Sequence, residues 1–207
     1  MFQLGIYGGT FAPVHIGHMA AAEAFLKEAD LDRLLIIPTR IPPHKQIKYK
    51  DDPSDRLKML QIAFMDNPEY GSRLQISDYE LCSPSPSYTV YTLRHYTEPN
   101  TRITFLCGTD MFLTLDSWKE PQEIFRLCRI ALMLREESST VEQEGQIAER
   151  TEFYKRKYGA DIIRINAPAI EVSSSMIREG DDGLRKKYLH KAVYDYITEH
   201  KLYANNQ

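Results

Sequence analysis

The chain has 207 residues, of which 43% are hydrophobic and 27% charged, with a formal net charge of −3. A chain of this length forms one domain that buries roughly 70% of its unfolded surface and needs no disulfide or metal staple. The mildly acidic balance excludes a general nucleic-acid coat, which would be basic overall, but leaves room for a local basic pocket around one phosphorylated ligand.

The opening MFQLGIYGG has no basic n-region and too short an apolar run for a signal peptide. Nowhere does the chain approach the length needed to span a bilayer. Residues 3–8 form a short, continuous apolar run bounded by turn residues, which predicts a buried strand. Gly8, Gly9 and Thr10 follow it, and a helix over 17–29 comes next, with Met19, Ala22, Phe25, Leu26 and Ala29 on one face. Strand, glycine-rich turn and helix N-terminus make an anion site, because unpaired N–H groups and the helix dipole both favour negative charge there. Gly8 and Gly9 let a phosphate approach the backbone, and Thr10 adds a hydroxyl. His15 and His18 are three apart and share a face. Two imidazoles beside a phosphate can donate hydrogen bonds to it. The competing readings are a structural turn capped by histidines and a zinc site. Zinc needs three or four ligands, and His15 and His18 supply two, with His44 as the only candidate third. Neither a GKS/GKT phosphate loop nor a GxGxxG fingerprint is present.

Residues 34–38 predict a second strand. TRIPPHKQIKYK (39–50) follows it, stiffened by Pro42 and Pro43 and made basic by Arg40, His44, Lys45, Lys48 and Lys50. It reads either as a phosphate-contacting flap or as a solvated lysine-rich loop. A helix over 53–65 starts with Asp52 as N-cap, Pro53 at N1 and Asp55 near N3. Its apolar repeat is Leu57, Leu60, Ala63 and Phe64. Residues 73–78 predict a further strand or a sheet edge, and 87–96 a helix. The run at 103–107 predicts another strand, ending at Cys107, whose thiol reads as buried. Gly108 and Asp110 follow it. A carboxylate there can accept both hydroxyls of a ribose or cap the next helix. Trp118, the only tryptophan, is either core or a flat surface for stacking a ring.

Residues 130–134 predict a strand that Arg135 terminates, 140–158 a polar helix anchored by Phe153 and Tyr154, and 161–165 a last strand. EVSSSMIREG (171–180) then offers Ser173 as a helix cap, with Ser174, Ser175 and Arg178 able to hold a triphosphate tail. A capped surface helix explains the same letters. The final helix is expected over 184–200, burying Tyr188, Leu189, Ala192, Val193, Tyr196 and Ile197. The three cysteines, Cys82, Cys107 and Cys128, lie far apart without metal-ligand spacing, which fits a reducing cytosol and a cytoplasmic protein. Strands alternating with helices predict an α/β fold, Rossmann-like and doubly wound, with a mainly parallel sheet and helices on both faces. Ligands bind such sheets beyond the carboxyl ends of the strands. We expect a single domain over 1–207, with 166–207 as a C-terminal helical part.

GGTFAPVHIGH (8–18) resembles the signature of the HIGH-type nucleotidyltransferase superfamily, and in particular that of the bacterial nicotinate-nucleotide adenylyltransferases. SSSMIR (173–178) resembles that family's ISSTxIR, PPHK (42–45) its PPHK, SPSYTVYTL (85–93) its PSYTxxTL, and GTD (108–110) its GxD. The resemblance runs from residue 4 to about 200 and is weakest over 137–160. It implies adenylyl transfer from ATP to nicotinate mononucleotide, giving deamido-NAD and pyrophosphate. His15, His18 and Arg178 would act at the reacting phosphates. Gly8, Gly9, Thr10, Gly108, Asp110, Arg135, Ser174 and Ser175 would bind ATP. His44, Lys45, Thr89, Trp118 and Lys119 would bind the acceptor, with Trp118 stacking on the pyridine ring. The chain is expected to hold no metal site of its own, with Mg²⁺ arriving on ATP, and to bind neither nucleic acid nor membrane. Formation of a homo-oligomer stays open. The family usually has aspartate where this chain has Ala12, and often tyrosine where it has Lys119. Ala12 is expected to have a modest local effect, and Lys119 to hold the acceptor carboxylate through its amide, helped by its charge. The rival readings are a transferase acting on nicotinamide mononucleotide or phosphopantetheine, a non-catalytic nucleotide sensor with a decayed site, and a metal-binding protein.

Overall fold

A computed structural model describes residues 1–41, 52–65, 70–135 and 140–203. The apolar runs pair as six strands: β1 (Phe2–Gly9), β2 (Arg33–Pro38), β3 (Leu74–Ile76), β4 (Thr101–Gly108), β5 (Cys128–Arg135) and β6 (Ile162–Ala167). All pairings are parallel, in the order β3-β2-β1-β4-β5-β6. The helices are α1 (Ile16–Glu28), α2 (Pro53–Met65), α3 (Tyr79–Cys82), α4 (Thr89–Tyr96), α5 (Thr109–Phe112), α6 (Pro121–Leu127), α7 (Val141–Tyr158), α8 (Ser174–Glu179), α9 (Asp182–Tyr188) and α10 (Lys191–Glu199).

Strand side chains alternate between two apolar layers, as the two-residue period of a strand requires. Leu34, Ile36, Leu106, Ala131 and Met133 face a core shared with Phe25 and Leu26 of α1, Met59 and Leu60 of α2, and Val193 and Ile197 of α10. Leu35, Ile37, Phe105, Ile130 and Leu132 face the other core, with Val90 and Leu93 of α4, Ile124 of α6, and Ile147 and Tyr154 of α7. Helices thus cover both faces, and the doubly wound α/β expectation holds. Winding reverses between β1 and β4, so the crevice at their carboxyl ends is the topological switch point.

Two expectations need correction. Residues 184–200 are not one helix. The chain leaves helical geometry at Leu189 (φ −98°, ψ 144°) and re-enters after His190, the N-cap of α10. The reason is phase: Leu184 and Tyr188 lie four apart, but the buried set Leu189, Val193 and Ile197 starts one residue, about 100°, further round. The break lets both sets face the core. In α2 the buried face also differs: Arg56, Met59, Leu60, Ala63 and Phe64 are buried, whereas Leu57 is half-buried. The expected cap is in place, with Ser54 N–H donating to Asp52 Oδ1 at 2.9 Å. Asp55 does not reach back to the helix start; it accepts the Tyr196 hydroxyl at 2.8 Å, tying α10 to α2.

Candidate active site

β1 ends at Gly9, and the backbone then turns through Phe11, which adopts a left-handed φ of 51°. The Phe11 ring is buried and meets Tyr7 and His18 edge-on, with centroids at 5.3 and 5.0 Å. It folds back over Gly9: a Cβ there would lie 2.9 Å from Phe11 Cζ, so glycine at this position serves the turn itself. Gly8 and Gly108 differ. A Cβ at Gly8 would meet only Phe105, at 3.9 Å, and one at Gly108 nothing within 4 Å. Both stand at the switch crevice, where absent side chains leave room for a ligand.

His15 is the N-cap of α1 and His18 its third residue. The His15 N–H donates to His18 Nδ1 at 3.3 Å, and the two rings stack at 3.7 Å. An acceptor Nδ1 places the proton of a neutral His18 on Nε2, which makes Nε2 a donor. The capping and phosphate-donor readings of these histidines are therefore compatible: one nitrogen organises the turn and the other remains a donor.

The second segment closes on the first across the sheet end. Ser173 caps α8, its hydroxyl accepting from Met176 N–H at 3.2 Å. Ser174 Oγ donates to the Pro13 carbonyl at 2.9 Å. Arg178 donates to the Ala12 carbonyl and, through Nη2, to Ser175 Oγ at 3.0 Å. Segments separated by more than 160 positions are thus joined beside His15, His18 and the glycine turn. Ala12 contributes through its carbonyl, while its methyl is buried at 1% exposure. Arg185 braces α8 from behind, donating to the carbonyls of Ile177, Arg178 and Tyr203 at 3.0–3.1 Å.

Asp110 lies at the carboxyl end of β4. Gly108, not Asp110, is the N-cap of α5, so the capping alternative fails. The Asp110 carboxylate is exposed and takes no hydrogen bond from the described residues. Thr89, half-buried, opens α4. Trp118 is half-buried with its ring edge-on to Phe105 at 6.3 Å. The Lys119 ammonium sits over the rings of Tyr88 and Tyr91, 4.7 and 5.1 Å from their centroids. Contact with Tyr91 raises its pKa above the usual lysine value. His44 and Lys45, with Lys48 and Lys50, lie outside the described residues, as does the side chain of Arg135.

Residues 6–180 match the model of the cytidylyltransferase-like family. The chain belongs to that family. A probable nicotinate-nucleotide adenylyltransferase from Clostridium novyi is 36% identical over 180 residues, 86% of each chain. One from Caldicellulosiruptor saccharolyticus is 30% identical over 203 residues, covering 97% of this chain and 98% of the relative. In fold the chain is similar to the Plasmodium falciparum nicotinic acid mononucleotide adenylyltransferase complexed with NaAD, with a TM-score of 0.78, 21% identity, and coverage of 100% and 99%.

Around this cytidylyltransferase-like site lie Glu80, which the sequence did not single out, and Arg40, which it offered only as one charge of a basic segment. Glu80 of α3 is buried, and Thr92 donates to its Oε1 at 2.7 Å. Burial raises its pKa, opposed by hydrogen bonds from Thr92, Ser87 and Thr39. Arg40 Nη1 donates to the Ser83 carbonyl at 2.7 Å, and its N–H to Ser87 Oγ at 3.2 Å. These contacts fasten the exit of β2 to the segment leading into α4. The one available signal was Tyr88 and Tyr91, an aromatic pair at i, i+3 beside Thr89. No group of three or more histidine, cysteine or acidic side chains able to hold a metal occurs among the described residues. Among those residues no helix is long and apolar enough to cross a membrane. Cys107 and Cys128 are buried, and burial pushes both thiols upward in pKa.

Proposed function

We propose that the chain transfers the adenylyl group of ATP to nicotinate mononucleotide, giving deamido-NAD and pyrophosphate, a step of NAD biosynthesis. The carrying observation is the seat of Ser174 and Arg178 on the carbonyls of Pro13 and Ala12. It joins the glycine turn, two histidines and a guanidinium in one surface. Names of relatives that span nearly the whole chain support the same reading.

The acceptor's 5′-phosphate is largely dianionic at neutral pH, because its second pKa is near 6. It needs no protein base. One of its oxygens attacks the α-phosphorus of ATP, a new P–O bond forms in line, and the bond to the β-phosphate oxygen breaks with its electron pair leaving on pyrophosphate. The protein's work is alignment and charge stabilisation. His18 Nε2 and His15 would meet the charge that grows on the α-phosphate. Ser175, Arg178 and the amides at the start of α8 would hold the departing tail, and Ser174 would hold α8 to the turn. Asp110 would accept the ribose hydroxyls, while Gly8, Gly9, Thr10 and Gly108 give the nucleotide a close backbone approach.

A divalent cation, Mg²⁺ in this reading, would neutralise the triphosphate. Such an ion would be held chiefly by phosphate oxygens and water. Trp118 would stack on the pyridine ring, and Thr89 with Lys119 would face its carboxylate. His44, Lys45 and Arg135 complete the proposed contacts. A cytoplasmic location fits the thiols and the substrates. Pyrophosphate release from ATP, with nicotinate mononucleotide, nicotinamide mononucleotide or phosphopantetheine offered separately, tests the assignment. Turnover is expected with the first; preference for either other acceptor, or no turnover with any, overturns it.

A further inference from the structure

The most buried charged side chain among the described residues is Arg56 of α2, at 0% exposure. A guanidinium cannot shed its proton in a protein, so its burial needs a structural return. Its Nη1 donates to two carbonyls, Thr10 at 2.9 Å and Thr39 at 2.6 Å. Thr10 follows β1 and Thr39 follows β2, and the ends of these strands are already joined by Thr39 N–H donating to the Gly9 carbonyl at 2.8 Å.

We propose that Arg56 is a positioning residue that sets the polarity of the phosphate-facing turn. A carbonyl oxygen turned toward a triphosphate repels it, whereas an N–H attracts it. In a trans peptide the two point in opposite directions. By holding the Thr10 carbonyl toward α2, Arg56 directs the Phe11 N–H away from itself, out of the other side of the turn. Two residues later Arg178 holds the Ala12 carbonyl, where the following Pro13 has no N–H to present. Two carbonyls of the turn, those of Thr10 and Ala12, are thus each held by a guanidinium. Arg56 also places a permanent positive charge directly behind the turn in a low-dielectric setting, where it acts on an incoming polyanion with little screening. Through the Thr39 carbonyl the same side chain ties the turn to the exit of β2.

This inference rests on the nucleotide-binding part of the proposed function, so its test reads ATP binding directly. Calorimetric titration with Mg-ATP and no acceptor is run on the parent, Arg56→Met and Arg56→Lys, with circular dichroism to establish folding. The methionine variant is expected to weaken ATP binding at least about tenfold. Lysine keeps the charge but replaces the planar guanidinium, whose Nη1 meets both carbonyls, by a rotatable ammonium on a different stem, and is expected to recover part of the loss. In steady state the KM for ATP should rise and kcat fall, with the KM for nicotinate mononucleotide changed less than about threefold. A purely structural brace would reduce the folded fraction and leave ATP affinity of the folded protein unchanged. Should methionine prevent folding, the lysine variant carries the measurement. ATP affinity and kcat within twofold of the parent in a folded variant overturn the inference. Failure of the parent to turn over any acceptor, with ATP still bound, would sink the proposed reaction and leave this inference standing.

Discussion

At the scale of single residues, His18 carries two functions that one substitution separates poorly and two measurements separate well. Its Nδ1 accepts the His15 N–H, so His18→Ala removes a helix cap worth about 1 kcal/mol and lowers Tm by a few degrees. Its Nε2 is the proposed donor to the reacting phosphate, and losing such a donor costs about a hundredfold or more in kcat/KM. A folded His18→Ala enzyme with unchanged turnover would reject the catalytic role. Lys119 offers a sharper test of acceptor choice. Its ammonium is held over Tyr88 and Tyr91 and stays charged above the usual lysine range. A fixed cation favours an acid over the matching amide by roughly the value of one charged hydrogen bond, about a tenfold difference. Lys119→Met should therefore lower kcat/KM about tenfold for nicotinate mononucleotide and less than about threefold for nicotinamide mononucleotide. Because the ammonium pKa is raised, the parent's preference should not change between pH 7 and 9. Equal losses on both acceptors would remove Lys119 from the selection.

Between elements, the decisive contact is the wedge where α1 meets the chain before α8. A Cβ on Gly17 would lie 3.1 Å from His15 Nδ1 and 3.2 Å from Val172 Cγ1, tighter than ordinary packing. Gly17→Ala should leave stability unchanged or raise it, because alanine is the better helix former by about 0.5–1 kcal/mol. It should nevertheless raise the KM for ATP several-fold by pushing apart the two segments proposed to face the phosphates. Val172→Ala in the same chain relieves the contact with Val172 but not that with His15, and should recover part of the KM change; a double variant no better than the single one would locate the cost at His15. This junction was also the most legible part of the sequence. Its glycines and serines are the residues that turns and helix starts favour, two histidines stand among them, and the strands around it announce themselves as apolar runs. What was illegible has physical causes. Helices α3, α5 and α6 have 4, 4 and 7 residues, two turns at most, too short for a 3.6-residue period to emerge. Arg56 sits on the apolar face of α2, where a charged letter reads as surface, and only tertiary contacts reveal its burial. The break at Leu189–His190 has no glycine or proline to mark it, only the one-residue slip of the apolar stripe.

For the molecule as a whole, the single domain expected over 1–207 is proposed to unfold as one unit, because the last helices complete the core that α1 and α2 begin. Val172, Ile177, Leu189, Val193 and Ile197 pack with Phe11, Phe25 and Met59 in one layer. On the opposite face, Tyr154 is fully buried, its hydroxyl donating to the Phe112 carbonyl at 2.8 Å. Two phenols, one on each side of the sheet, therefore report on the whole fold at alkaline pH. Burial first, and then Asp116 beside Tyr154 and Asp55 beside Tyr196, push both up to about 12 from the usual 10.0. A raised folded pKa means that the stability tied to the protonated phenol is fully present below pH 10 and is lost as pH rises through 12. Tyr154→Phe should lower Tm by a few degrees at pH 8, the cost of leaving a buried carbonyl unpaired being about 1–3 kcal/mol. The gap to the parent should narrow between pH 10 and 12 as the parent loses the same bond. Tyr196→Phe should behave likewise with a smaller gap, because its site is less buried. Thermal melts followed by near- and far-ultraviolet circular dichroism should coincide at every pH. Two separated transitions, one sensitive to Tyr154 and the other to Tyr196, would show that the two faces of the sheet unfold independently and that residues 166–207 do not complete a common core.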